Sequence, residues 1–338
     1  MADTPSIPIQ QVIDDLLDND NPFPAVNLYR LSDLEPADQK KIASIWPNLA
    51  LWRKLGLLED ISDLSEKDTL LSFEELCLIA IEDENAGVRL QAIKALRIYE
   101  DTSLVDIFIN LHLNDRDEHV RAEAAGALGR FVYLGEIETI NKEKLREIEQ
   151  HLLNSCQSNL PQIIRLQALE SLGYSSRPEV RQLIENAYNS DNKEWIASAL
   201  FAMGRSADND WDTHIINMLD NKIPMIRCEA ARAAGELEIA ESAPLLIDLI
   251  DDPDEETRLV SIVALSQVGG NELISLFEDL INEADSEQSI EALELALENL
   301  AFINNAQLFP LFDFPDDSFE ETLDDQHDIF NSFEDDED

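Results

Sequence analysis

His112-Leu-Asn-Asp115-Arg-Asp117-Glu118-His119 is the densest group of side chains in this sequence that could do chemistry. Two imidazoles and a carboxylate are a zinc-binding inventory, and a histidine beside an acid can move a proton. The same residues also read as a turn entering a helix, where a short acid such as Asp115 accepts backbone N–H groups as a cap. Equivalents of Asp115 recur along the chain, so the capping turn is the reading adopted. His151, His214 and His327 stand alone. Cys77, Cys156 and Cys228 lack CxxC spacing, so neither disulfides nor a zinc site is expected and the thiols read as buried. There is no glycine-rich phosphate loop, nucleophile elbow or HExxH. Carboxylates are too numerous to single out a catalytic pair. The expectation is no catalytic residue, no metal and no cofactor, hence not an enzyme.

What positions these residues is a repeat. In Asp115–Gly129, DRDEHVRAEAAGALG, small and apolar residues follow Val120 at steps of three and four, which gives a helix one closely packing face. With Val120 as an anchor, the same offsets return at Val88, Ile164, Trp195, Ile226, Thr257 and Gln288, the last five spaced by 31 residues. Four positions on come Ala92, Ala124, Ala168, Ala199, Ala230, Ser261 and Ala292. Gly129, Gly173, Gly204 and Gly235 close four copies, and a glycine there is expected to end the helix or turn the chain. A period of this length signals stacked helix pairs. Asp83, Asp115, Asn159, Asn221 and Asp252 precede their anchors by five, and Arg89, Arg121, Arg165, Arg227 and Arg258 follow them directly. The acid or amide is expected to cap the second helix of a pair. The guanidinium is expected to reach a carboxylate or carbonyl of the adjoining pair.

These residues resemble the HEAT repeat, and the 31-residue period is similar to the short HEAT-like repeats of phycobilisome lyases. The resemblance covers residues 73–304 and departs from the pattern at Ile196 and Ser289, where the arginine is missing. It implies an all-α fold, a right-handed α-solenoid of antiparallel helix pairs whose second helices line the concave side. That places Gln91, Lys94, Gln167, Phe201, Arg232, Val260 and Val263 in a groove as candidate partner-binding residues. It also permits a bilin lyase or chaperone of a tetrapyrrole-bearing protein. HEAT-type deoxyhypusine hydroxylase is set aside, because its His-Glu dipeptides do not occur here.

Residues 1–72 are expected to cap the array. They offer one amphipathic helix up to about Asp20, then helical runs over 36–46 and 48–64, with Trp46 and Trp52 available for burial. Between Val120 and Ile164 the interval widens, and the excess over 131–146 carries Lys142, Lys144 and Arg146. It is either a binding loop or a longer first helix with a solvated edge. Residues 305–338 read as a disordered acidic tail: residues 309–338 hold thirteen carboxylates and no Lys or Arg. Phe312, Phe314, Phe319, Phe330 and Phe333 in that stretch are candidates for docking as a short peptide.

The formal charge of −47 opposes nucleic-acid binding and attracts a basic partner. No leader or membrane span is seen, so the expected protein is a cytoplasmic monomer. The functional reading is a non-catalytic scaffold or adaptor gripping a protein along its groove. The alternatives are the bilin lyase and an acidic buffer or chaperone for basic proteins.

Overall fold

Apolar residues three and four apart make helices, Pro and short polar runs separate them, and no strand occurs among the described residues. The computed structural model describes residues 7–308 apart from 271, 284 and 285. The expected tail over 309–338, with its phenylalanines, lies outside the described residues. The chain divides into two units, Met1–Val268 and Gly269–Asp338.

The first unit opens with α1 (Ile9–Leu17), α2 (Pro36–Ile45) and α3 (Leu51–Lys67), with short 3-10 turns between them. Trp46 is buried and donates through Nε1 to Asp83 Oδ2 at 2.8 Å. Trp52 was expected to be available for burial, but it is 54% exposed and lies 4.5 Å from the Arg53 guanidinium. Six helix pairs follow: α4 (Glu74–Ala80) with α5 (Ala86–Leu96), α6 (Ser103–Asn114) with α7 (Glu118–Glu136), and α8 (Lys142–Gln157) with α9 (Gln162–Leu172). Then come α10 (Pro178–Tyr188) with α11 (Lys193–Arg205), α12 (Asp212–Ile216) with α13 (Pro224–Glu236), and α14 (Ala243–Asp248) with α15 (Glu255–Val268). Each first helix packs on its own second helix, and α3, α5, α7, α9, α11, α13 and α15 pack on one another in order. This is an α-solenoid whose spine is the row of second helices. In the second unit, α16 (Glu272–Glu283) packs on α17 (Glu287–Leu308), which runs past residue 304, where the repeats were expected to stop.

The spine is close because its contacts are small. Ala92, Ala124, Ala168, Ala199, Ala230 and Ser261 are fully buried. Of the glycines nine positions after the anchors, expected from sequence to end helices or turn the chain, only Gly173 stands at a helix end. Gly129, Gly204 and Gly235 lie inside α7, α11 and α13, Gly173 follows α9 with helical φ, and none has positive φ. Their purpose is approach. A Cβ on Gly129 would lie 3.2 Å from Ser171 Cα, on Gly173 2.8 Å from the Ala202 carbonyl, on Gly204 2.9 Å from Ala233 Cα and on Gly235 2.7 Å from Ala264 Cα. Each contact joins the ninth position of one repeat to the seventh of the next, so neighbouring second helices run parallel in one register.

The turn residues also correct an expectation. The N-caps of α5 and α7 are Asn85 and Asp117, whose side chains accept Gly87 and Val88 N–H, and His119 and Val120 N–H. The acids two positions earlier are not caps. Asp83, Asp115 and Asp252 each accept one N–H of the turn, from Asn85, Asp117 and Asp254, at 2.8 Å. They also take a cation from the preceding repeat. Arg89 forks onto Asp115 at 2.8 and 2.7 Å, and Arg227 onto Asp252 at 2.7 Å through both nitrogens. Lys54 reaches Asp83 at 2.6 Å. Burial raises these carboxyls, and the cation and N–H donors outweigh it, holding all three below the ordinary aspartate range. Arg258 donates to the Asp252 carbonyl at 2.9 Å instead.

The 131–146 insertion is not a loop throughout. It is divided between extra turns of α7, running to Glu136, and the start of a long α8 capped by Asn141. Lys144 pairs with Asp106 and Glu147 at 2.9 and 3.0 Å, and Lys142 with Glu138 at 3.1 Å, so these cations serve local contacts.

Candidate partner-binding face

Once the fourth, seventh, eighth and ninth positions are committed to the spine, the third, sixth and tenth remain near the surface of the second-helix row. Positions three and six meet across the joints: a Cβ on Gly126 would lie 3.3 Å from the Gln167 amide, and Ser198 donates to Glu170 Oε1 at 2.5 Å. The tenth positions carry Ile98, Arg130, Tyr174, Arg205, Glu236 and Gln267. The α7 extension adds Tyr133.

These residues form a continuous stack over α7, α9 and α11. The Arg130 guanidinium lies 5.8 Å from the Tyr133 ring, Tyr133 is 5.2 Å from Tyr174, and Arg205 lies 5.0 Å from Tyr174 and 4.0 Å from Phe201. Guanidinium over an aromatic face is attractive by about 0.5–2 kcal/mol. With Arg97, Arg130, Tyr133, Tyr174 and Arg205 on its walls, a cavity of about 270 Å³ opens at this edge. Arg97 pairs with Glu123 at 3.0 Å and Arg130 with Glu100. Arg205 donates to the Glu170 carbonyl at 3.4 Å. Desolvation lowers the Arg205 pKa, against the pull of Tyr174 and Glu236. Neither tyrosine hydroxyl has a hydrogen-bond partner among the described residues. These arginines belong to three separate repeats, so no run of basic residues marks them in the sequence.

The opposite edge is acidic. A cavity of about 520 Å³ is walled by Glu170, Glu194, Glu229, Asp254 and Glu256, with Phe201 on its side. Burial raises the Glu170 and Glu229 carboxyls above the ordinary range, and Glu236 near Arg205 likewise. The polarity follows the helices: Glu194 and Glu256 occupy first turns, where the dipole favours anions, while Arg205 ends α11 and Arg97 follows α5.

Of the residues singled out from sequence, Gln167 and Phe201 lie between these cavities, with Phe201 partly under Arg205. Gln91 and Val260 are half-buried, Lys94 is exposed, and Val263 is 40% exposed. Arg232 bonds Glu229 at 3.2 Å. Arg121 and Arg165 turn back to carbonyls of their own pairs, His112 at 2.9 Å and Cys156 at 3.2 Å. His112 is fully buried, with Nε2 2.6 Å from Ser155 Oγ and Nδ1 3.1 Å from the Arg121 carbonyl, whereas His119 is exposed. No group of His, Cys, Asp or Glu among the described residues is arranged to hold a metal ion. The three cysteines are buried, and desolvation pushes their thiols up to about 12. No described helix is long and apolar enough to cross a membrane.

The family model described as HEAT repeats matches residues 73–147 and 212–298. No curated protein matches the chain. Among solved structures, the chain is similar to the CpcE–CpcF complex of phycocyanin lyase from a Nostoc species, with 20% identity over 67% of this chain and 94% of that one and a TM-score of 0.45. Human deoxyhypusine hydroxylase aligns at 16% identity over 77% of this chain and 95% of its own, TM-score 0.34. Kap95p, from a complex with RanGDP, aligns at 13% over 86% of this chain and 45% of its own, TM-score 0.40. The matched stretches carry HEAT repeats and reach into both units.

Proposed function

We propose that the second-helix face is a protein-docking surface and that the chain is a non-catalytic scaffold. The observation that carries this reading is the Arg130–Tyr133–Tyr174–Arg205–Phe201 stack, which leaves polar aromatic tips and guanidinium edges at the surface of three repeats. Tyr and Arg are the side chains that most often anchor protein interfaces, because each combines large contact area with directed hydrogen bonds. The partner segment is bipolar: carboxylates meet Arg97, Arg130 and Arg205, and a basic stretch meets Glu170, Glu229 and Glu256. The net charge of −47 draws in a basic partner over long range. Residues 309–338 supply a second contact through Phe beside carboxylates.

The test is affinity capture with the full chain, followed by identification of the partner and direct titration. Tyr133→Ala/Tyr174→Ala is expected to weaken the complex at least about tenfold, or about 1.4 kcal/mol, with the chain still folded and only a small fall in melting temperature. Lys40→Ala, exposed on α2 away from this face, serves as a control that leaves binding intact. A partner held equally by the double variant overturns the proposal.

A further inference from the structure

We propose that a cavity between α9 and α11 binds a single carboxylate carried on an apolar group. Where a repeat has Arg directly after the anchor and the next has Asp five before its anchor, the two make a bidentate pair, as in Arg89–Asp115 and Arg227–Asp252. At the α9/α11 joint the arginine is Arg165 and the acid's position is taken by Ser190. No carboxylate pairs with Arg165 among the described residues. Its Nε donates to the Cys156 carbonyl at 3.2 Å, and its guanidinium lies 5.0 Å from the Trp195 ring. A cavity of about 430 Å³ opens beside it, bounded by Arg165, Ser190, Trp195, Leu169, Leu183 and Ala187. Such a volume suits a small ligand, and its chemistry is fixed by one directed cation beside apolar Leu169, Leu183, Ala187 and Trp195, with the Gln157 and Asn186 amides also on the wall.

The preceding joint offers a contrast. Arg121 likewise lacks a ladder acid, since Asn159 holds that position, and also turns back to a carbonyl of its own pair, that of His112. There the imidazole of His112 reaches across to Ser155 Oγ at 2.6 Å and fills the gap. Cys156 holds the same offset, and its thiol is too short to cross. Desolvation pushes that thiol up to about 12, so it supplies no competing anion. The terminal N–H groups of Arg165 are suited to the fork that Asp115 and Asp252 satisfy elsewhere. A polyanion would be repelled by a chain of charge −47, so the ligand carries one charge.

Titration calorimetry on the full chain tests this with 4-phenylbutyrate, its neutral amide, and N-acetyl-Phe-Asp amide. The expected result is that the acid binds at least about tenfold more tightly than the neutral amide and that Arg165→Met abolishes the difference. Ser190→Asp installs the missing ladder acid. It should raise the unfolding midpoint and block binding, and its stability keeps the test meaningful if Arg165→Met folds poorly. Tighter binding of the dipeptide than of phenylbutyrate assigns the site to a partner's side chain, and the reverse assigns it to a free acid. Equal affinity for acid and neutral amide, no binding of either acid, or binding unchanged by Ser190→Asp overturns the proposal.

Discussion

The joints at the two flanks of the first unit and those in its middle are built on the same register but stabilised differently. At α3/α5, α5/α7 and α13/α15 a cation of one repeat is tied to a nearly buried aspartate of the next. At α7/α9, α9/α11 and α11/α13 the acid's place is held by Asn159, Ser190 and Asn221, and Ile196 replaces the arginine of the third. The middle joints are also where the aromatic stack, the buried glutamates and two cavities lie. Ladder pairs therefore fasten the flanking joints, and the middle joints are held without them.

The largest test of this contrast is Arg227→Met, which strands Asp252 as a buried unpaired carboxylate. It should cost about 3–5 kcal/mol in urea unfolding. Arg165→Met should cost about 1 kcal/mol, the worth of its contact with Trp195. Equal losses would erase the distinction between flank and middle. Next is Gly173→Val, which forces α9 from α11 at a joint bordering every middle feature. Overpacking of this kind should cost about 1–3 kcal/mol, with hydrogen exchange rising in α9 and α11 before α5.

The two regions should also respond oppositely to pH. Asp83, Asp115 and Asp252 titrate lower in the fold than in the unfolded chain. Their stabilisation is complete above about pH 3.9 and is lost as pH falls through the folded values. Glu170, Glu229 and Glu236 titrate higher in the fold, chiefly through burial. Their contribution is complete below about pH 4.3 and is lost as pH rises through the folded values. Amides of α9, α11 and α13 should therefore lose protection as pH is raised from about 4.3, after correction for intrinsic exchange, while those of α5 and α7 stay level. The smallest effect on stability is that of Tyr133→Ala/Tyr174→Ala. One ring pair is worth about 0.5–1.5 kcal/mol, so its loss should be seen in binding more than in melting.

The fold was legible because spine positions repeat: the buried alanines at the fourth position and the glycines at the ninth announce themselves by period. The glycines' purpose was not, since a glycine late in a helical pattern reads equally as a stop or as a contact, and only the distance to the next backbone decides. Asp115 was likewise given the cap that belongs to Asp117, because both precede the same helix. The candidate face was least legible. Arg130, Tyr174 and Arg205 share the tenth position, but Arg97 and Tyr133 reach the site from other offsets and the sign of the tenth residue changes from repeat to repeat. A position that varies in chemistry leaves no periodic signal, and it is the kind of position that a ligand reads.

The constant ninth-to-seventh contact also bears on how such a chain can change. Any stretch cut from one anchor up to the next, such as residues 164–194, removes or adds a whole layer and leaves each new seam with the contact it had before. In-frame duplication is thus structurally cheap here, and the reach of the reading surface can be altered without redesigning a single interface.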